Sequence, residues 1–181
     1  MDTFPPHDIA YIIRLDELLW GALLLALTLA IHGFGMFLTV EISNALNDRF
    51  EQARSQRPVV GLGIVILASW MIVLVDLIEV GVWAGFFVWK GAQPNPFSAF
   101  YNGLLNYTTL AAGYLPQRWR LLEGMLGTAG LLTFAWSTGV LFSLAQDYQE
   151  KALQLRKLRR DKQRSGPAHA EPHRSGDSGR A

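Results

Sequence analysis

Three long apolar blocks dominate the chain. Residues 18–40 contain one ionisable side chain, His32; residues 59–89 contain two, Asp76 and Glu79; residues 121–145 contain one, Glu123. A helix needs roughly 20 apolar residues to cross about 30 Å of hydrocarbon, and each block is long enough. The pattern predicts an all-α integral membrane protein with three transmembrane helices, at about 18–40, 59–89 and 121–145. As one straight helix the second block would extend about 46 Å. It must tilt, kink or project beyond the bilayer.

The polar stretches between the blocks predict the remaining elements. Residues 1–17 form a short outer segment in which Pro5-Pro6 disfavours helix, with helix expected from about Ile9 into the first span. Residues 41–58, "EISNALNDRFEQARSQRP", are polar and helix-compatible, and Pro58 starts the second span. "KGAQPNP" at 90–96 is a turn cluster, and Asn95-Pro96 pairs an N-cap with proline at the first helical position. "FSAFYNGLLNYT" at 97–108 then reads as a helix too short to span, followed by irregular "TLAAGYLPQ". A short helix and an irregular loop between two spans fit a re-entrant pore loop. They fit equally an outer loop resting on the membrane surface. Irregular backbone at membrane depth must be buried in protein or line water.

Net charge is only +1, so its distribution is what informs. Nine of sixteen Lys and Arg follow Ala145, and Arg49, Arg54 and Arg57 lie between the first two blocks. The positive-inside rule therefore places the first loop and the C-terminal tail in the cytoplasm, with the N-terminus and the 90–120 segment outside. The first seventeen residues carry Asp2, Asp8, Asp16 and Glu17 and no basic region, unlike a cleaved signal peptide. Residues 147–164 read as a basic cytoplasmic helix near anionic lipid, with Leu144, Tyr148 and Leu155 near one face. Residues 165–181 are rich in Gly, Pro and Ser and read as a disordered tail. His169 and His173 there are separated by Pro172 and have no further ligand nearby. The chain has no Cys, no nucleophile–base constellation, no phosphate loop and no metal-ligand spacing. No catalytic residue, enzyme activity, resident cofactor, metal site or nucleic-acid partner is expected.

A series of motifs adds a resemblance. Glu79-Val80-Gly81-Val82-Trp83 has the form E-x-G-x-W. Tyr107-Thr108-Thr109-Leu110, Trp119-Arg120-Leu121-Leu122 and Trp136-Ser137-Thr138 follow in order. Together they resemble the small bacterial pore-loop family of the two-transmembrane potassium channel type, over roughly residues 60–146. There a pore helix ends Y-T-T-L, a G-Y-G-D filter follows, and W-R-L-L leads into an inner helix with G-W-S-T. The resemblance implies a re-entrant pore helix and loop at about 96–117 and a homotetramer in the bacterial inner membrane. The implied ion pathway runs through Thr108, Thr109, Leu110, Ala111, Ala112, Gly113 and Tyr114, with a monovalent cation such as potassium as the ligand.

The chain departs from the family where selectivity is set. Ala111, Ala112, Gly113 and Tyr114 stand at the G-Y-G-D positions, so the first glycine and the aromatic are both alanine. Filter carbonyls replace the hydration shell of the ion, and lining them up requires backbone angles that cost alanine about 1–2 kcal/mol in the left-handed region. Ordinary potassium selectivity is not expected. The reading is a cation channel subunit with altered or relaxed selectivity. The alternative is a non-conducting, channel-derived subunit that packs with other membrane proteins. The Thr108 and Thr109 hydroxyls fit an inner cation site or caps on the pore-helix carbonyls.

Within the spans, Asp76 and Glu79 lie three apart and share a helix face. Carboxylates there face the bundle interior, water or a partner, and His32 is the natural partner. The trio reads either as a polar path outside the pore or as a structural cluster joining the first two spans. Gly124, Gly127 and Gly130 recur every three residues and suit close helix packing. Trp20, Trp83, Trp89 and Trp119 lie near span ends, as in interfacial belts against membrane lipid. Trp70 and Trp136 lie deeper and are expected between helices.

Overall fold

The computed structural model describes residues 14–50, 59–110 and 113–164, among which there is no strand. Helix α1 (Leu15–Arg49) is followed by α2 (Val59–Trp89), α3 (Pro96–Tyr107), a 3-10 turn (Gln117–Trp119) and α4 (Arg120–Arg164). Helices α1, α2 and α4 are each long and apolar enough to cross a membrane. The chain is thus an all-helical, multi-pass membrane protein.

The ends of these helices differ from the sequence expectation. Arg14 is extended (φ −96°, ψ 139°), so α1 starts at Leu15; the helix expected from about Ile9 falls on residues outside those described. Asp16 and Glu17 occupy its first turn, where the positive helix end favours them. The polar residues 41–49 continue α1, and the basic residues 147–164 continue α4 with no break. At 1.5 Å per residue α4 is about 67 Å long, roughly twice the hydrocarbon thickness. The two projecting ends touch: the Tyr148 hydroxyl donates to the Ser43 carbonyl at 3.5 Å, and Leu144 is buried beside them. The Leu155 side chain, Pro58 and the segments 1–13 and 165–181 lie outside the described residues.

Helix α1 is inside out by the standards of a soluble bundle. Its buried stripe is Glu17, Gly21, Leu24, Thr28, His32, Gly35, Met36, Thr39, Ser43 and Asn47, mostly small or polar. Its exposed face carries Leu19, Leu23, Leu27, Phe34 and Phe37. Small residues let neighbours approach: Gly35 receives Val75 of α2, and Gly21 receives Met125 of α4. The Thr28 and Thr39 hydroxyls donate to the carbonyls of Leu24 and Gly35, so their burial leaves nothing unpaired. Only 33%, 22% and 33% of the most apolar stretches of α1, α2 and α4 are buried within the chain. The remaining apolar surface suits lipid or other protein, since lipid offers no hydrophobic penalty against exposing it.

The chain reverses at the end of α2. Gly91 adopts φ 67°, Gly91 N–H donates to Val88 and Ala92 N–H donates to Phe87, a Schellman closure. Asn95 then caps α3 through its side-chain oxygen, which accepts from Phe97 N–H at 2.8 Å, with Pro96 at the first helical position. Helix α3 runs back along α2 and wedges its C-terminal end between α2 and α4. Two of the four glycines in α4 make this fit possible. A Cβ on Gly130 would collide with the Tyr107 carbonyl, and one on Gly127 would press on the Asn106 carbonyl at 3.4 Å, whereas Gly124 meets open space.

The tryptophans distribute differently from the expected belt. Trp83 and Trp119 are buried, because Trp83 shares the inward face of Glu79 one turn earlier and Trp119 packs edge-on against Phe86. The Trp83 indole donates to Thr28 Oγ1 at 2.8 Å, joining α2 to α1. Trp20 and Trp89 instead hold the Lys90 ammonium at 4.2 and 3.8 Å from their ring centres. Trp70 is 63% exposed on the outer face of α2, not packed between helices. Trp136 is also largely exposed, with its ring edge over Gly33 and beside His32.

Gly130→Ala should destabilise the protein by about 1–3 kcal/mol, because the collision is with backbone and no rotamer relieves it. Gly124→Ala should stay within about 0.5 kcal/mol of the native chain. Reversible unfolding in mixed detergent checks both.

Candidate functional site

The expected trio meets in the interior. His32 comes from the middle of α1, and Asp76 and Glu79 come from adjacent turns of α2. His32 Nδ1 lies 2.9 Å from Glu79 Oε1 and 3.6 Å from Asp76 Oδ1. His32 and Glu79 are fully buried, while the Asp76 side chain is 32% exposed. Among the described residues these three form a group whose ligand atoms all lie within 4.8 Å of one another.

Helices α3 and α4 complete the network with residues that sequence reasoning had read only as motif letters or passed over. The Tyr107 hydroxyl, at the last turn of α3, donates to Glu79 Oε2 at 2.6 Å. Asp76 Oδ1 lies 3.3 Å from the same hydroxyl. Thr133 Oγ1 of α4 is 2.5 Å from the same hydroxyl, and Ser137 Oγ, one turn further along α4, is 3.2 Å from His32 Nε2. The Thr133 hydroxyl also lies 3.1 Å from the carbonyls of Ala129 and Gly130, which can accept its proton, so either hydroxyl can donate in the Tyr107–Thr133 contact. Residues of all four helices thus join one network around Glu79, with His32 and Tyr107 on its two oxygens and α4 behind them. For the α3 and α4 members, the only sequence signal was the positions of Tyr107 and Ser137 within two of the motifs. Nothing in the sequence marked Thr133.

The end of α3 presents Thr108, Thr109 and Leu110 at the surface, with Leu110 76% exposed. The Thr108 hydroxyl donates to the carbonyls of Leu104 and Leu105 at 2.9 and 3.1 Å, so it caps its own helix. Thr109 N–H donates to Asn106 and Leu110 N–H donates to Leu105, the same closure that ends α2. Where α2 uses Gly91, α3 uses Thr109 at φ 60°. A β-branched residue in the left-handed region is a strained outlier. Sequence reasoning placed that strain at Ala111; Ala111 and Ala112 lie outside the described residues. A groove of about 460 Å³ runs beside this end, lined by Val73, Asp76, Leu77, Tyr107, Thr108, Thr109, Leu131 and Phe134.

The returning segment is fastened by a carboxylate. Gly113, at φ 87°, and Leu115 both donate their backbone N–H to Glu123, at 2.6 Å each. Tyr114 is half-buried, its carbonyl accepting from Gln93 Nε2 at 3.2 Å and its hydroxyl lying 3.5 Å from Asn106 Nδ2. Glu17, buried in the first turn of α1, accepts from Leu121 N–H at 2.7 Å at the start of α4. A carboxylate is favoured at a helix N-terminus, whose first N–H groups have no partner within the helix. The signal available for Glu123 was its position as the lone acid in an apolar block.

Tyr107→Phe should cost roughly 1–3 kcal/mol, because it leaves Glu79 Oε2 buried without its donor; unfolding in mixed detergent reads this. Thr109→Gly should stabilise by roughly 1 kcal/mol, by removing the left-handed penalty of a β-branched residue. Glu123→Ala should speed amide exchange at Gly113 and Leu115.

Comparisons with protein-family models, with curated proteins and with solved structures find nothing that matches this chain.

Proposed function

We propose that this protein is a cation channel subunit related to potassium channels, with altered or relaxed selectivity, that assembles as a homotetramer. The observation that carries the reading is the placement of α3. Tyr107 meets Glu79 and Asp76 about three turns from the end of α2, so the short helix dips about 15–20 Å alongside that span before the chain returns. This is about half of the ~30 Å hydrocarbon layer. Such a course suits a re-entrant pore helix, and its carbonyl end is the end that favours cations.

In this reading Thr108, Thr109 and Leu110 face the pore from each of four chains, with Ala111, Ala112, Gly113 and Tyr114 completing the loop. One pore loop per chain supplies a quarter of a pore. The N-terminus and the α2–α4 connection lie outside the cell membrane, and the basic end of α4 lies in the cytoplasm. Relaxed selectivity follows from alanine at the positions of the filter glycine and aromatic. Those same alanines favour the second reading, a non-conducting subunit that packs with other membrane proteins.

Purified protein in liposomes should pass potassium together with sodium or a larger cation, as a four-copy assembly in gentle detergent. Ala111→Gly combined with Ala112→Tyr should shift the flux ratio toward potassium. A stable assembly that passes no cation, and does not contain four copies, would sink the channel reading and leave the second.

A further inference from the structure

We propose that His32, Asp76 and Glu79 bind a divalent transition-metal ion of the zinc class, which bridges α1 and α2 beside the groove at the end of α3. The donor set is one imidazole nitrogen and two carboxylate oxygens, which suits zinc, cobalt or manganese and not the thiophilic ions. A tetrahedral zinc with bonds of about 2.0–2.2 Å holds its ligand atoms about 3.4 Å apart. The distances from His32 Nδ1, 2.9 Å to Glu79 Oε1 and 3.6 Å to Asp76 Oδ1, bracket that separation. The carboxylate pair needs only to close from a spread within 4.8 Å.

The surroundings fit the ion as well as the ligands do. Two carboxylates beside one imidazole leave negative charge within an apolar span, where charge is costly. A divalent cation neutralises both. Ser137 makes the exchange of proton for metal possible without loss. With the proton on Nδ1, that nitrogen donates to Glu79 and Nε2 accepts from the Ser137 hydroxyl. With metal on Nδ1, the proton moves to Nε2 and donates to the Ser137 oxygen, 3.2 Å away. A hydroxyl serves as either donor or acceptor. A ligating histidine ordinarily has such a partner on its other nitrogen. Glu79 Oε2 keeps its Tyr107 bond throughout, because the metal takes Oε1. Access is through Asp76, the one partly exposed ligand, which lines the groove beside α3.

The test uses the full chain in detergent, any affinity tag removed, in a His7→Ala, His169→Ala, His173→Ala background that eliminates the other histidines. Zinc binding by equilibrium dialysis and cobalt binding by visible absorption should saturate at one ion per chain. Asp76→Asn should weaken zinc at least tenfold, and Ser137→Ala by roughly 10–100-fold, with helical content and elution volume unchanged. X-ray absorption of the zinc-loaded background protein should report one imidazole with oxygen donors, a readout that holds even where His32→Gln or Glu79→Gln fails to fold. Absence of saturable binding, affinity unchanged in Asp76→Asn, or ligation lacking imidazole would overturn the site.

Discussion

Glu79 is fully buried in the middle of an apolar helix. Its two oxygens are therefore the constraint around which the helices must settle. One is met by His32 of α1 and the other by Tyr107 of α3. Each of those partners is held in turn from α4, His32 by Ser137 and Tyr107 by Thr133. Unsatisfied polar groups in hydrocarbon cost several kcal/mol each, whereas each interhelical bond adds only about 0.6–2 kcal/mol. The network thus acts chiefly by penalising other arrangements: a shift of α3 by one turn would strand Glu79.

Carboxylates perform a second task nearer the other end of the bundle. Glu17 and Glu123 accept backbone N–H groups at the start of α4 and on the segment that returns from α3. Aromatic packing of Trp83, Phe86, Phe87 and Trp119 fills the space between them. Between these two fixed regions lies the strained turn at Thr109. The paired turn at Gly91 has the same hydrogen bonds without the strain. Strain persists only where the surroundings over-determine it, and here Tyr107 below and Glu123 above hold both flanks of the segment.

Much of the architecture was legible in the sequence because it depends on local spacing. Span number follows from the length of apolar blocks, and the start of α3 follows from Asn95-Pro96. The shared face of Asp76 and Glu79 follows from their i, i+3 spacing, and the pairing with His32 from the cost of burying carboxylates. Other features were not legible. Trp83 and Trp119 read as interfacial from their positions near span ends, yet both are buried, since position along a helix does not say which way a side chain faces. Trp70 shows the converse, lying deep in the block but on the outer face. The continuity of α4 into its basic end was also hidden, because a change in polarity along a helix need not break its backbone.

The sequence by itself thus determined the three apolar helices, the capped turn that starts α3, and the polar residues that apolar surroundings would force to find partners. Only the tertiary structure decided which partners those are. His32 and Ser137 are 105 residues apart, Trp83 and Thr28 are 55 apart, and Tyr107 and Thr133 are 26 apart. Such pairings depend on the relative height and rotation of separate helices. Those are set jointly by glycines such as Gly35 and Gly130, which permit close approach, and by buried oxygens that accept only one register. The spacing of Gly124, Gly127 and Gly130 was visible in the chain, but which glycine receives which neighbour was not, because that is a relation between helices and not a property of any one of them.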